Sequence, residues 1–127
     1  VEDTDAKDTI YERIGGGHAV NTVVDMFYSN LLENPEVGPF FRNTDMQKQR
    51  GKMLTFLTYA FGGAPRYSEE SLRRSHKPLL EQGLNDRHVD IVKQVLQQTL
   101  QHMGVPDPII GEIMDIMESA RDDVLNR

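Results

Sequence analysis

Three features of the sequence predict an all-α fold. Apolar residues recur every three or four positions in four separate stretches, the period of a helix with one buried face. No stretch alternates apolar and polar residues over the length of a strand. Two glycine clusters, Gly15-Gly16-Gly17 and Gly62-Gly63, interrupt the helical runs where a chain would turn. Four substantial helices and two short ones are expected, in one domain over residues 9–127 preceded by a polar, flexible segment over residues 1–8.

In chain order, Thr9 to Glu12 has the form of a capping box opening a short helix that the three glycines end. From His18 to Leu32 the apolar positions 20, 23, 24, 27, 28, 31 and 32 share one helical face, and Tyr28 lies on it. Asn34-Pro35 stops that helix, and a tight corner follows that carries the adjacent aromatics Phe40 and Phe41. Thr44 to Gln47 reads as a second capping box, for a helix running to about Phe61 with Met46, Met53, Phe56, Leu57 and Ala60 inward. Gln49 falls on that inward stripe and Lys52 borders it.

Ser68 with Glu69 and Glu70 caps the next helix, whose last turn carries His76 before Pro78 is expected to end it, leaving Leu79 to Leu84 as connecting chain. A histidine at that edge suits a helix cap or a metal ligand equally in kind. Asn85-Asp86 opens a long helix closed by Gly104, and Asp107-Pro108 caps a last helix whose apolar face extends from Ile110 to Val124.

Composition removes several functional classes. The net charge is -6 and the basic residues are dispersed among acids, which argues against a nucleic-acid partner. No apolar run approaches the roughly 20 residues that span a bilayer, so no membrane role and a cytoplasmic location are expected. With no cysteine, disulfides, thiolate chemistry and iron–sulfur clusters are excluded. The glycine cluster joins two helices and lacks the Lys-Ser/Thr of a phosphate-binding loop, and HExxH, EF-hand and paired Glu-x-x-His patterns are absent. What remains is a set of polar residues on different helices, Tyr28, Gln49, Lys52 and His76. Together with the methionines and the Phe40-Phe41 corner, they call for a polar pocket lined to fit a flat apolar object.

In Tyr11 to Gly16, Phe27-Tyr28, Pro39-Phe40-Phe41, Thr44 to Arg50, Phe56 to Gly63, His76 and the helix after Pro106, the chain resembles the group I truncated haemoglobins, over about residues 9 to 125. That resemblance implies a shortened globin, a two-over-two helical sandwich around haem b, with His76 as the proximal iron ligand. It places Tyr28 and Gln49 on the distal side, where a phenol and an amide can donate to a bound diatomic gas. Phe41 with Phe40 beside it would wedge the haem, Met53, Phe56 and Leu57 would line the distal side, and Tyr67, Arg73 and His88 are candidates for the propionates. His18 and His102 are expected on the surface.

Departures from the family pattern are specific. Met53 stands where many members carry a second distal glutamine, Val89 replaces a common phenylalanine, and no histidine follows His102 to attach haem covalently. Lys52 would pair with a propionate or, as in some members, occupy the sixth iron position; Met53 is a lesser candidate for it. Lysine ligation requires the neutral amine, which for an ordinary lysine costs roughly 4 to 5 kcal/mol at pH 7. The resemblance thus implies a monomer binding O2, NO and CO in oxygen transport or storage. Its alternatives are a nitric oxide dioxygenase served by a separate reductase, or a hexacoordinate redox protein.

Overall fold

The structure is a computed structural model that describes residues 10–62 and 68–127. The expected flexible segment, Thr9 of the first capping box, Gly63 and Tyr67 lie outside the described residues. Every regular element among the described residues is helical: α1 (Ile10–Arg13), α2 (Gly16–Glu33), a 3-10 turn (Gly38–Phe41), α3 (Met46–Ala60), α4 (Glu69–Leu80), α5 (Asp86–His102), α6 (Asp107–Ser119) and α7 (Arg121–Val124). None of the described helices is long and apolar enough to cross a membrane.

Helix α2 is the central element, packing on α3 along one side and α5 along another, while α5 pairs with α6 and α6 touches α3. This is the two-over-two sandwich. Its core is built from Val20, Val23, Val24, Phe27 and Leu31 of α2, Leu57 and Ala60 of α3, Leu96 and Leu100 of α5, and Ile110 and Ile113 of α6. Each large aliphatic or aromatic side chain so buried contributes about 1.5 to 3 kcal/mol. Thr99 is buried with them, its hydroxyl donating to the Val95 carbonyl at 2.8 Å.

Local chemistry explains most boundaries. Gly15 and Gly16 take positive φ, 114° and 72°, making the sharp junction between α1 and α2 that residues with a Cβ would resist. At Gly38 a Cβ would sit 2.6 Å from the Leu32 carbonyl oxygen, so only glycine lets the 3-10 turn fold back on the end of α2. Ser68 accepts from the Ser71 amide at 3.0 Å. Asn85 accepts from the Arg87 amide at 2.9 Å while His88 Nδ1 accepts from the Asn85 amide at 3.0 Å, a reciprocal cap.

Five expectations fail, each for a physical reason. Helix α3 is capped by Asp45 rather than Thr44: the carboxylate accepts from the Gln47 and Lys48 amides and gains from the helix dipole, and Thr44 instead donates to the Phe40 carbonyl. Helix α4 continues through Pro78 to Leu80, because a proline in the last turn removes one hydrogen bond from an end already close to stopping. Helix α6 takes Pro106 as its N-cap and Asp107 inside its first turn, with no side-chain cap. Its apolar stripe ends at Ala120, after which α7 is a separate turn. Leu32 is 45% exposed, lying beyond the strip that α3 and α5 cover.

Candidate functional site

The candidate residues form two walls, one on α2 and α3 and the other on α4, and α3 and α4 are not among the closely packed helix pairs. His76 stands on α4, half-buried, with Nδ1 2.8 Å from the Leu72 carbonyl oxygen. A carbonyl can only accept, so Nδ1 carries the proton and Nε2 keeps its lone pair. Burial lowers the imidazole pKa from its ordinary value; the Leu72 carbonyl opposes that shift, and the Lys52 charge adds to it. The histidine is therefore a neutral nitrogen donor with its ring orientation fixed, the condition a metal ligand requires.

On the other wall Tyr28 and Gln49 form a pair. The Gln49 amide donates to the Tyr28 hydroxyl at 3.1 Å, and that hydroxyl is 3.5 Å from the Gln49 backbone carbonyl, the long end of hydrogen-bond range. Tyr28 is 4% exposed, and burial pushes its pKa up to about 12 against the lowering effect of Gln49. It is a neutral phenol, able to donate, throughout the physiological range. Phe41 stacks edge-on against its ring at 5.9 Å.

Lys52 ties the walls together. It is exposed, and its ammonium donates to Ser75 Oγ at 3.2 Å, beside His76. Gln49 precedes Lys52 by three residues, about 4.5 Å along the α3 axis. The Tyr28–Gln49 pair thus sits one turn from the bridge that reaches the histidine's helix. Met53 is half-buried one residue further, Phe56 is 9% exposed, and Leu57 is fully buried in the core.

The remaining expected site residues are dispersed or already engaged. Phe40 lies edge-on to the His88 ring at 4.9 Å, and His88 spends Nδ1 on the α5 cap. Arg73 pairs with Asp123 at 2.9 Å. His18 and His102 are exposed, as expected. Three participants were not anticipated: Leu72, Ser75 and Asp123. The i, i+4 spacing of Leu72 and His76 was a usable signal for the first, whereas the other two depend on which helices meet. Among the described residues no group of three His, Asp or Glu side chains could hold a metal ion. A metal beside His76 would need most of its ligands from a cofactor. Two hollows elsewhere, along Asn34, Glu36, Arg87 and Gln98 and along Met26, Asn30 and His102, contain none of these residues.

Comparison with known proteins agrees with the fold. The family model described as bacterial-like globin matches residues 9–126. A group 1 truncated hemoglobin, GlbN, from a Synechocystis species is 43% identical over 122 residues, covering 94% of this chain and 98% of that protein. Among solved structures, a 2/2 hemoglobin from a Synechococcus species, in the cyanomet state with covalently attached heme, superposes with a TM-score of 0.87 at 42% identity, over 94% of this chain and 99% of that one. Chlamydomonas reinhardtii THB1 superposes with a TM-score of 0.83 at 44% identity, over 92% and 96%. With its two-over-two helices and these relatives, the chain belongs to the bacterial-like globins, as a group 1 truncated haemoglobin.

Proposed function

We propose that the chain holds haem b through His76 Nε2 and binds O2 and other diatomic gases, NO and CO, reversibly on the face opposite that histidine. The observation that carries this reading is the His76–Leu72 bond, which leaves Nε2 as one neutral nitrogen donor with its lone pair uncommitted. The residues fit the group: Phe41, Met53 and Phe56 offer apolar and aromatic surface. His88 keeps Nε2 uncommitted for a propionate, and Arg73 can share its guanidinium between Asp123 and the other. When bound, haem supplies an iron with an axial position open to a small gas.

The protein's part is to hold that gas. Tyr28 donates its phenolic hydrogen and Gln49 orients the phenol while offering its own amide. A hydrogen bond to a ligand that draws negative charge is worth about 1.5 to 3 kcal/mol, so one such donor slows gas release about ten- to a hundredfold. Slow release favours sensing or chemistry over transport. The test is the absorption spectrum of the ferrous protein with and without O2 and CO. Reversible, gas-dependent bands are expected, and a ferrous spectrum indifferent to both gases would refute the reading.

A second reading is favoured by one observation, the reach of Lys52 from α3 to Ser75 on α4. A side chain long enough to bridge the walls is long enough to serve as an internal sixth ligand, its neutral amine replacing the gas. That arrangement suits electron transfer, or nitric oxide dioxygenation, in which NO, O2 and one electron from a separate reductase give nitrate. Lys52→Ala separates the readings: a six-coordinate spectrum lost in the variant supports lysine ligation, and identical spectra from neutral to alkaline pH exclude it. Consumption of NO by reduced, oxygenated protein no faster than in buffer would exclude the dioxygenase.

A further inference from the structure

We infer that the C-terminal tail, residues 121–127, is a latch that positions helix α4 and thereby aims His76; the inference rests on the reading of His76 as the axial ligand. Helix α4 is poorly secured by burial. None of its residues is buried, whereas α2, α3, α5 and α6 each bury three or more. Burial by the polypeptide itself therefore secures α4 less than those helices, Leu72 alone being packed, half-buried, against the core. Pro78 weakens it further, since it has no N–H for the Arg74 carbonyl and its ring crowds that carbonyl. The turn so weakened, 74 to 78, is the turn that carries His76. Among the described residues, the helix in close contact with α4 is α7.

Three polar contacts join the tail to a single residue of α4. Arg73 Nη2 lies 2.9 Å from Asp123 Oδ1 and donates to the Arg127 carbonyl at 3.1 Å, and Asn126 Nδ2 donates to the Arg73 carbonyl at 3.0 Å. Arg73 precedes His76 by three residues, one turn away along the same side of the helix. Asp123 is the one charged residue buried among the described residues, and a buried carboxylate persists only where a cation and hydrogen bonds compensate it. Asn126 adopts left-handed backbone, φ 55°, which asparagine tolerates better than most residues.

The latch has a fixed base. Arg127 Nη1 binds Asp86 Oδ2 at 2.9 Å, and Arg121, its side chain 14% exposed, binds Asp86 at 3.0 Å, Asp90 at 2.5 Å and Glu118 at 2.8 Å. Leu125, 7% exposed, is the buried apolar residue of the same segment. The tail thus transmits the position of the first turns of α5 and the end of α6 to the middle of α4. Asp123 and Asn126 are positioning residues, acting on His76 through Arg73.

The test uses the full chain with and without haem, in two variants, the haem-bound samples in a Lys52→Ala background so that no internal sixth ligand masks the iron–histidine band. Asp123→Asn removes the carboxylate charge at nearly constant shape, and Asn126→Gly deletes one amide while keeping the left-handed backbone accessible. In the haem-free protein, amide hydrogen exchange over residues 74–80 is expected to accelerate about tenfold in Asp123→Asn and about threefold in Asn126→Gly, with α2 and α5 unchanged. In the ferrous haem protein the iron–histidine stretching band is expected to shift or broaden, and haem is expected to pass to a scavenging apoglobin about fivefold faster or more. Should Asp123→Asn fail to fold, Asn126→Gly carries the same comparison alone. Exchange in α4 at the parent rate overturns the latch. Equal acceleration across α2 and α5 with an unmoved iron–histidine band overturns positioning in favour of general destabilisation. Absence of that band from the Lys52→Ala parent, where no internal sixth ligand can suppress it, overturns the axial reading, whatever α4 exchange does, and this inference with it.

Discussion

Replacing Tyr28 with phenylalanine isolates the donor proposed to hold the gas. The ring is 4% exposed and makes edge-on contacts with Phe27 at 5.1 Å and Phe41 at 5.9 Å, all of which phenylalanine preserves. What is lost is one hydroxyl, acceptor of the Gln49 amide at 3.1 Å and donor to whatever occupies the space beside it. Gln49 is only half-buried, so its freed amide can turn to water, and the stability cost should stay near 1 kcal/mol. The functional cost is larger. Loss of a donor to a partly charged gas is worth about 1.5 to 3 kcal/mol, an O2 release about ten to a hundred times faster. The assay is stopped-flow displacement of O2 by CO, run in a Lys52→Ala background so that no internal ligand competes. Because Gln49 and Tyr28 share a bond, their effects should not add, and Gln49→Leu with Tyr28→Phe should cost less than the sum of the two. Release changed less than threefold in Tyr28→Phe, Gln49→Leu and the double variant alike would refute the assignment of these residues as the gas donors.

Three further outcomes are expected. The Tyr28 phenol has a folded pKa of about 12 against 10.0 when free, so its contribution is fully present below pH 10 and is lost as pH rises through 12. The loss amounts to about 2 kcal/mol at pH 12, and Tyr28→Phe should resist alkaline unfolding better than the parent between those values, as followed by circular dichroism. Glu118 has its pKa lowered to about 2 by its bonds to Arg121 and Lys93, so this carboxylate stabilises the fold above pH 4.5 and ceases to as pH falls toward 2. Glu118→Gln should flatten the acid limb of the stability curve, and an unchanged acid midpoint would show the pair contributes nothing. Phe27→Ala, at a fully buried position between α2 and its neighbours, should cost about 3 to 5 kcal/mol in urea unfolding, and a loss below 1 kcal/mol would contradict the placement of the core.

The helices were legible where the chain announces them locally. The stripe from Val20 to Leu31, the Ser68 and Asn85 caps and the glycine junction at 15 to 17 all rest on residues within a few positions of each other, and each appears in the fold. Pro78 misled because the cost of a proline depends on how much helix follows it, and only Leu79 and Leu80 do. Thr44 and Asp45 are both good caps one residue apart, so the choice falls to geometry. Leu32 has the right spacing for burial but no neighbour reaches it. At the site, Tyr28, Gln49 and His76 were recognisable from helix faces together with the family resemblance. Ser75 opposite Lys52, and Asp123 opposite Arg73, were not. Those pairs are 23 and 50 residues apart in the chain, and no local pattern encodes which helices the fold brings together.

The central claim, that His76 binds haem iron through Nε2 while Leu72 fixes its Nδ1, is tested most directly by the spectrum of His76→Gly. Loaded with haem and reduced, in a Lys52→Ala background that leaves the sixth position free, the variant is expected to lose the iron–histidine stretching band and to hold haem weakly, and added imidazole should restore both by filling the vacated space. A ferrous spectrum and haem retention in His76→Gly identical to the parent, with no response to imidazole, would contradict it.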